Sequence, residues 1–300
     1  MSTVLTLVAS DPRRPLCDGH TREVIKILGA YNVQPTCQPI WIKPKKVAEI
    51  GVSDNTSSAL FMHLRDFLEK DAIDVFITPI ENRRKKLVLA DMDSTIVRGE
   101  TLDDLAEHAG IKDQIAEITA RAMNGELDFH AALNERVGLL KGLGIEALDK
   151  TLSTMIINPG AENFIRTMHK HGAHCVLVSG GFTFFTSAVA KQVGFQAHHG
   201  NVLEIEDGAL TGKVKPPILD KHAKVECLRT YMDRFNLKPK DCLTIGDGAN
   251  DIPMLKTAGL GIGYKPKPAV ANQIDNLIIH GDLSAALYAQ GFTDSDFYLT

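Results

Sequence analysis

The sequence predicts an α/β fold: a Rossmann-like, largely parallel sheet with a small helical cap, preceded by an α+β module of ferredoxin-like pattern. Three observations predict it. Apolar runs at Leu87–Ala90, Cys175–Ser179, Leu243–Gly246 and Gly259–Gly263 alternate with long helical stretches, as parallel strands joined by helical crossovers do. Residues 102–157 interrupt that rhythm with several helical segments and no convincing strand, which suits a cap over the strand ends. Residues 1–83 follow a different pattern, so the chain divides into one module over 1–83 and a larger domain over 84–300, with its cap at about 102–157.

In the first module, residues 3–9 alternate as a strand does, and residues 19–30 carry helical periodicity. A strand around Gln38 to Ile42 and another over Ala48 to Val52 follow. Thr56 to Lys70 read as an amphipathic helix with Leu60, Phe61, Leu64, Phe67 and Leu68 on its apolar face. Asp74 to Ile80 supply a last strand. The order βαββαβ is the ferredoxin-like pattern. The cluster Glu81-Asn82-Arg83-Arg84-Lys85-Lys86 then reads as a solvated linker.

Composition narrows the function. Three hundred residues, 44% of them hydrophobic, suffice for one large core or two domains. A net charge of −4 gives no general attraction to nucleic acid or to an anionic membrane. An anionic substrate must therefore be held by a local positive site. Five scattered cysteines form no C-x-x-C pair and suit reduced thiols. No apolar run reaches the roughly 18 residues that a membrane-spanning helix needs. Val4 to Ala9 is too short for a signal peptide and lacks a basic leader, so a cytoplasmic location is expected.

The chemistry concentrates where strands end. Leu87-Val88-Leu89-Ala90 runs into Asp91 and, two positions on, Asp93; strand periodicity turns both toward one side. Such a pair suits a reaction in which one carboxylate attacks and the other moves a proton. Cys175-Val176-Leu177-Val178 runs into Ser179-Gly180-Gly181 and a helix, where glycines permit close approach and free N–H groups suit a phosphate. Leu243-Thr244-Ile245 runs into Gly246-Asp247-Gly248-Ala249-Asn250-Asp251. With Asp91, Asp247 and Asp251 supply the hard oxygen ligands that Mg²⁺ prefers. Lys224 is the available fixed cation for a transferring phosphoryl group, although alone it reads as a solvated helix lysine.

Asp91-Met92-Asp93-Ser94-Thr95, Ser179-Gly180-Gly181, Lys224 and Gly246 to Asp251 resemble, in order, the four motifs of haloacid-dehalogenase-type phosphatases. Asp91 to Glu100, with Arg121-Ala122-Met123-Asn124-Gly125 through Arg136-Val137-Gly138-Leu139-Leu140, is similar to the phosphoserine phosphatase branch of that superfamily. The resemblance covers residues 86 to about 275. It implies Asp91 as nucleophile and Asp93 as proton donor and acceptor. It also implies Mg²⁺ held by the Asp91 carboxylate, the Asp93 carbonyl and Asp247, with Asp251 assisting. Ser179, Gly180, Lys224 and Asn250 would hold the phosphoryl group. Glu100 would receive a substrate ammonium, Arg136 its carboxylate, and Met123 and Phe129 would line the apolar side of the cap. Taken singly, Glu100 also suits a helix cap, and Arg136 a surface pair with Glu135 or Asp128.

The implied activity is Mg²⁺-dependent hydrolysis of O-phospho-L-serine through an aspartyl phosphate, the last step of serine biosynthesis. A phosphatase or phosphotransferase for another small phospho-compound, such as phosphohomoserine, is the near alternative. An amino-acid-sensing protein with a vestigial phosphatase domain is the distant one. The first module more weakly resembles ACT-type amino-acid-binding domains, which allows an effector site or a homodimer contact. The partner expected is a small molecule, with no nucleic acid and no membrane.

Overall fold

The computed structural model describes residues 3–53, 56–123 and 126–298; the side chains of Ala122, Met123, Phe129 and Lys221 lie outside that description. The first module runs β1 (Thr3–Ala9), α1 (Asp18–Ala30), β2 (Ile40–Lys43), β3 (Val47–Val52), α2 (Ser58–Glu69) and β4 (Ile73–Pro79). The expected βαββαβ order is present, and the four strands form an antiparallel sheet in the order β2-β3-β1-β4. Ser57 starts α2 by accepting the Leu60 amide at 3.3 Å, which leaves Leu60, Phe61, Leu64 and Leu68 buried on one face. Those side chains pack with Leu5, Leu7, Val24 and Leu28 into a core of their own.

The other face of this sheet is buried as well. Val8, Val47 and Phe76 belong to the main core, together with Leu287 and Tyr288 far down the chain. The polar residue Thr6, also fully buried, has its own partner there. Alternation along β1 therefore separates two cores, whereas in a half-exposed strand it separates core from solvent.

A seven-stranded sheet forms the larger part: β5 (Leu87–Ala90), β6 (His174–Phe182), β7 (Ala197–Glu206), β8 (Ala209–Lys215), β9 (Cys242–Gly246), β10 (Leu260–Tyr264) and β11 (Asn276–Ile278). Its order is β11-β10-β9-β5-β6-β7-β8, parallel except where β8 returns against β7. β5 is the central strand, buried at all four positions, as its unbroken apolar run requires. The cap is helical as expected: α3 (Thr101–Ala109), α4 (Lys112–Met123), α5 (Phe129–Gly138) and α6 (Glu146–Thr154). The remaining helices are α7 (Ala161–Lys170), α8 (Thr183–Val193), α9 (Lys221–Phe235), α10 (Ile252–Thr257), α11 (Pro268–Ala271) and α12 (Ala285–Ala289).

Three features depart from the expectation. β11 lies beyond the last apolar run expected as a strand. The β7–β8 hairpin also lies outside those runs, although its turn carries a hairpin signal: Asp207 and Gly208 sit at φ 48 and 77, the left-handed pair that a two-residue type I′ turn demands. The basic cluster at 81–86 is not simply a solvated linker. Lys85 is buried and donates its ammonium to the carbonyls of Asn82 and Lys240, both at 2.8 Å. Arg83 bonds Thr6 at 2.8 Å, Glu49 at 2.5 Å and the Ala289 carbonyl at 3.1 Å, clamping the small sheet onto the large domain. A charge can be buried where its hydrogen bonds are made, and here Lys240, Glu49 and Ala289, which make several of them, lie far away in sequence.

Arg83→Ala leaves Glu49 unpaired in a site where the two side chains are only 14% and 13% exposed. The expected loss is about 3 kcal/mol of unfolding free energy, read as a lower urea midpoint.

Candidate active site

The ladder of β5 ends at Ala90, opposite Ile245 of β9, and the Asp91 amide still donates to the Ile245 carbonyl at 2.9 Å. Beyond it the backbone stays extended at Asp91 (φ −67, ψ 156) and Asp93 (φ −66, ψ 136), then reverses at Ser94, which is left-handed at φ 56. Ser94 is held there by the Gly99 carbonyl, 2.8 Å from its amide, and by a 3.0 Å bond from its hydroxyl to Glu100. Asn158 secures the same loop through the carbonyls of Thr95 and Val97 at 2.8 and 3.1 Å.

Asp91, Asp247 and Asp251 converge beside this loop. All three are buried, and one carboxylate oxygen from each lies within 4.8 Å of the others. Lys224, 1% exposed, reaches in from α9 and bonds both Asp91 and Asp251 at 2.6 Å. Asp247 accepts from Thr95 at 3.2 Å, and Asp251 from the Gly248 amide at 3.1 Å. Burial and the Asp251 carboxylate push Asp91 well above the usual carboxylate range, with Lys224 pulling back. Burial alone would lower the Lys224 ammonium; the two carboxylates more than offset it, and the net shift is upward. Three acids face one deeply buried ammonium and, at Asp247, the more exposed Lys267, which still leaves negative charge uncompensated, and the donors are all hard oxygens. That set fits a divalent cation.

The Asp93 carboxylate belongs to a different neighbourhood. It accepts from the Thr101 amide at 2.8 Å and from Ser179 at 2.9 Å, while Ser179 in turn accepts the Gly181 amide at 2.8 Å. Burial, then the nearby Glu100, push its pKa up to about 6, within reach of the range where a carboxyl group both gives and takes a proton. A Cβ on Gly181 would lie 3.0 Å from Asp93 Oδ2, so glycine lets β6 approach the acid.

These residues line a cavity of about 210 Å³, sized for a small molecule. Asp91, Asp93, Ser179, Gly180, Asp247 and Asn250 lie on the sheet side, while Glu100 and Arg136 come from the cap side. Lys224 stands behind Asp91 and Asp251 and does not face the cavity directly. The local alternatives for the two cap residues are not realised. Glu100 precedes α3 but makes no side-chain cap bond. Glu135 pairs with Arg121 at 2.7 Å and Asp128 caps α5 through the Ala131 amide at 2.7 Å, so neither takes Arg136. The Arg136 guanidinium bonds only the Ala132 carbonyl, at 3.2 Å, among the described residues, and feels the fields of Asp103 and Glu100. Met123 ends α4 and Phe129 begins α5, but their side chains lie outside the described residues.

Lys267 is a site residue that the sequence does not announce. Its ammonium spans Glu100 and Asp247, 3.2 Å from each, on the wall of the cavity. Lys265-Pro266-Lys267-Pro268 reads as an exposed turn, and nothing local signals that it follows a central strand into the site.

Residues 88–256 match the haloacid dehalogenase-like hydrolase family, and the chain belongs to it. Phosphoserine phosphatases are among its curated relatives. That of Streptococcus thermophilus is 44% identical over 199 residues, 66% of this chain and 93% of the relative. That of Streptomyces coelicolor is 40% identical over 252 residues, 83% of this chain and 62% of the relative. A solved haloacid-dehalogenase-family hydrolase from Salmonella enterica superposes with a TM-score of 0.85 at 26% identity, covering 96% of this chain and 98% of the other. The chain spans about two thirds or less of the length of the longer curated relatives.

Gly246 permits the carboxylate cluster: a Cβ there would lie 2.5 Å from Asp251 Cγ. Gly246→Ala is expected to displace Asp251 while leaving the fold intact. The dissociation constant for a divalent cation, read by calorimetric titration, should rise about tenfold or more, with unchanged far-ultraviolet circular dichroism.

Proposed function

We propose that this chain is a Mg²⁺-dependent phosphatase that hydrolyses O-phospho-L-serine to L-serine and phosphate, completing serine biosynthesis. The observation that carries the reading is one small cavity with Asp91 and Asp93 on its floor and Glu100 and Arg136 on its cap side.

In this reading the phosphoryl group rests against Ser179, the Gly180 backbone and Asn250, with Lys224 fixing the orientation of Asp91. An Asp91 oxygen attacks phosphorus and the bond to the serine oxygen breaks, leaving an aspartyl phosphate. Asp93 gives its proton to the departing alkoxide. Asp93 then takes a proton from water as that water attacks phosphorus, the bond to Asp91 breaks, and phosphate leaves. Mg²⁺ bound by Asp91, Asp247, Asp251 and the Asp93 carbonyl would neutralise charge on the transferring oxygens. Arg136 offers its planar fork to the substrate carboxylate, and Glu100 its charge to the ammonium. Lys267 shares Glu100 and Asp247, so it tempers the negative charge of both.

The antiparallel βαββαβ sheet supports reading the first module as ACT-like, and a homodimer contact through it belongs to this proposal. No helix among the described residues is long and apolar enough to cross a membrane, and we place the enzyme in the cytoplasm.

Asp91→Asn should lower turnover by about 10⁴-fold or more without unfolding the chain, and unchanged activity would overturn the mechanism. Removing Mg²⁺ with a chelator should abolish phosphate release, and adding it back should restore it. Phosphate release is compared for L-phosphoserine, D-phosphoserine, phosphohomoserine, phosphothreonine and phosphoglycolate. L-Phosphoserine should dominate. Preference for another compound keeps the chemistry and discards the substrate, whereas serine binding without any turnover favours a sensing protein. Arg136→Ala should cost about 100-fold in kcat/KM for L-phosphoserine and leave p-nitrophenyl phosphate, which lacks a carboxylate, nearly unaffected.

A further inference from the structure

The Glu100 carboxylate is held unevenly. The Ser94 hydroxyl donates to its Oε1 at 3.0 Å, and the Lys267 ammonium donates to the same oxygen at 3.2 Å. Oε2 has no hydrogen bond among the described residues, although Glu100 lines the catalytic cavity. A glutamate side chain that is 46% exposed is long and free to sweep, so two donors on one oxygen restrict it before any ligand arrives.

Both donors are themselves fixed through backbone. The Ser94 amide donates to the Gly99 carbonyl at 2.8 Å, and these residues sit at φ 56 and 77. The loop thus closes on itself and returns the Ser94 hydroxyl to Glu100. Lys267 lies between Pro266 and Pro268, whose rings restrict the chain, and its own amide donates to the Asp247 carbonyl at 2.9 Å. Its ammonium also reaches Asp247 Oδ2 at 3.2 Å, while Thr95 donates to Oδ1 at the same distance. Glu100 is thereby tied to the carboxylate cluster along the cavity wall.

We propose that Ser94 and Lys267 are positioning residues that pin Glu100 through Oε1 and leave Oε2 for the substrate ammonium, which makes them determinants of L-over-D selectivity. This rests on the reading above, in which Glu100 takes the ammonium and Arg136 the carboxylate. A chiral molecule is told from its mirror image by three fixed contacts. Asp91 is anchored by Lys224 at 2.6 Å, and Arg136 by the Ala132 carbonyl at 3.2 Å. Glu100 is the third contact, and its aim depends on the two donors to Oε1. Charge and aim can be told apart, because L- and D-phosphoserine carry the same charges. Loss of the Lys267 cation acts on both isomers alike, whereas loss of aim acts on their ratio.

The test compares kcat/KM for L- and D-phosphoserine in Mg²⁺, using the full-length chain, Ser94→Gly and Lys267→Met. Ser94→Gly suits the left-handed turn and removes the hydroxyl. The L-to-D ratio should fall about fivefold or more in each variant. In Ser94→Gly, kcat/KM should also fall less for 3-phosphonooxypropanoate, which is phosphoserine without its ammonium, than for L-phosphoserine. An unchanged ratio in either variant, or equal losses with and without the ammonium in Ser94→Gly, overturns the proposal and leaves the phosphoserine reading in place. So does an unsubstituted chain that prefers the ammonium-bearing compounds but does not separate L from D. An unsubstituted chain that turns over 3-phosphonooxypropanoate as well as L-phosphoserine overturns the phosphoserine reading itself, and this proposal with it.

Discussion

Three carboxylates held within 4.8 Å of one another, deep in the protein, form an arrangement that resists its own assembly. Mutual repulsion and lost hydration both oppose it, and the architecture can be understood as the means of tolerating it. Adjacent central strands β5 and β9 deliver the acids from opposite sides of one seam. α9 carries a single ammonium into the middle, and the Gly248 amide and Thr95 hydroxyl satisfy oxygens the lysine cannot reach. Gly246 supplies the space. None of these elements is polar enough to hold the cluster alone, and the remaining charge is what a divalent cation answers.

The two acids of the first loop are then distinguished by surroundings, not by residue type. Asp91 is tied to a cation and to the metal-binding set, which suits an anionic attacker. Asp93 is two residues away but bonded to an amide and a hydroxyl, with Glu100 close by; burial lifts the proton affinity of both acids, and of the two Asp91 has the ammonium bonded to it that opposes the rise. The left-handed turn at Ser94, just past both acids, sends the chain back so that the Thr101 amide can bond Asp93.

Much of this is readable in the linear chain, because core packing alone rarely ends an apolar run in an acid or in Ser-Gly-Gly three times over. Asp91, Asp93, Asp247 and Asp251 are legible on that ground, and so is the helical cap. Lys224 is not legible by itself; an isolated helix lysine looks solvated until strands from elsewhere surround it. Lys267 and Arg83 fail for the same reason, since the carboxylates of Glu100 and Glu49, which they pair with, lie 167 and 34 residues away in sequence. The β7–β8 hairpin is different: its Asp-Gly turn stands in plain view, flanked by strands whose alternation is weak. What sequence hides is chiefly the burial of charge, which depends on contacts no local window contains.

The docking of the small sheet has a consequence for how the chain matures. The Asp74 carboxylate binds the amides of Ile279, His280 and Gly281, and Arg83 reaches the Ala289 carbonyl, contacts more than 200 residues apart. At ordinary translation speeds of about 5–20 residues per second, roughly 10–40 s separate synthesis of the first sheet from synthesis of the surface that covers it. For that interval Val8, Val47 and Phe76 have no core to enter, although the helix-covered face is already complete. A nascent chain thus carries a finished half-module with a bare apolar side, which makes the ribosome-bound stage a natural point for chaperone capture or misassociation.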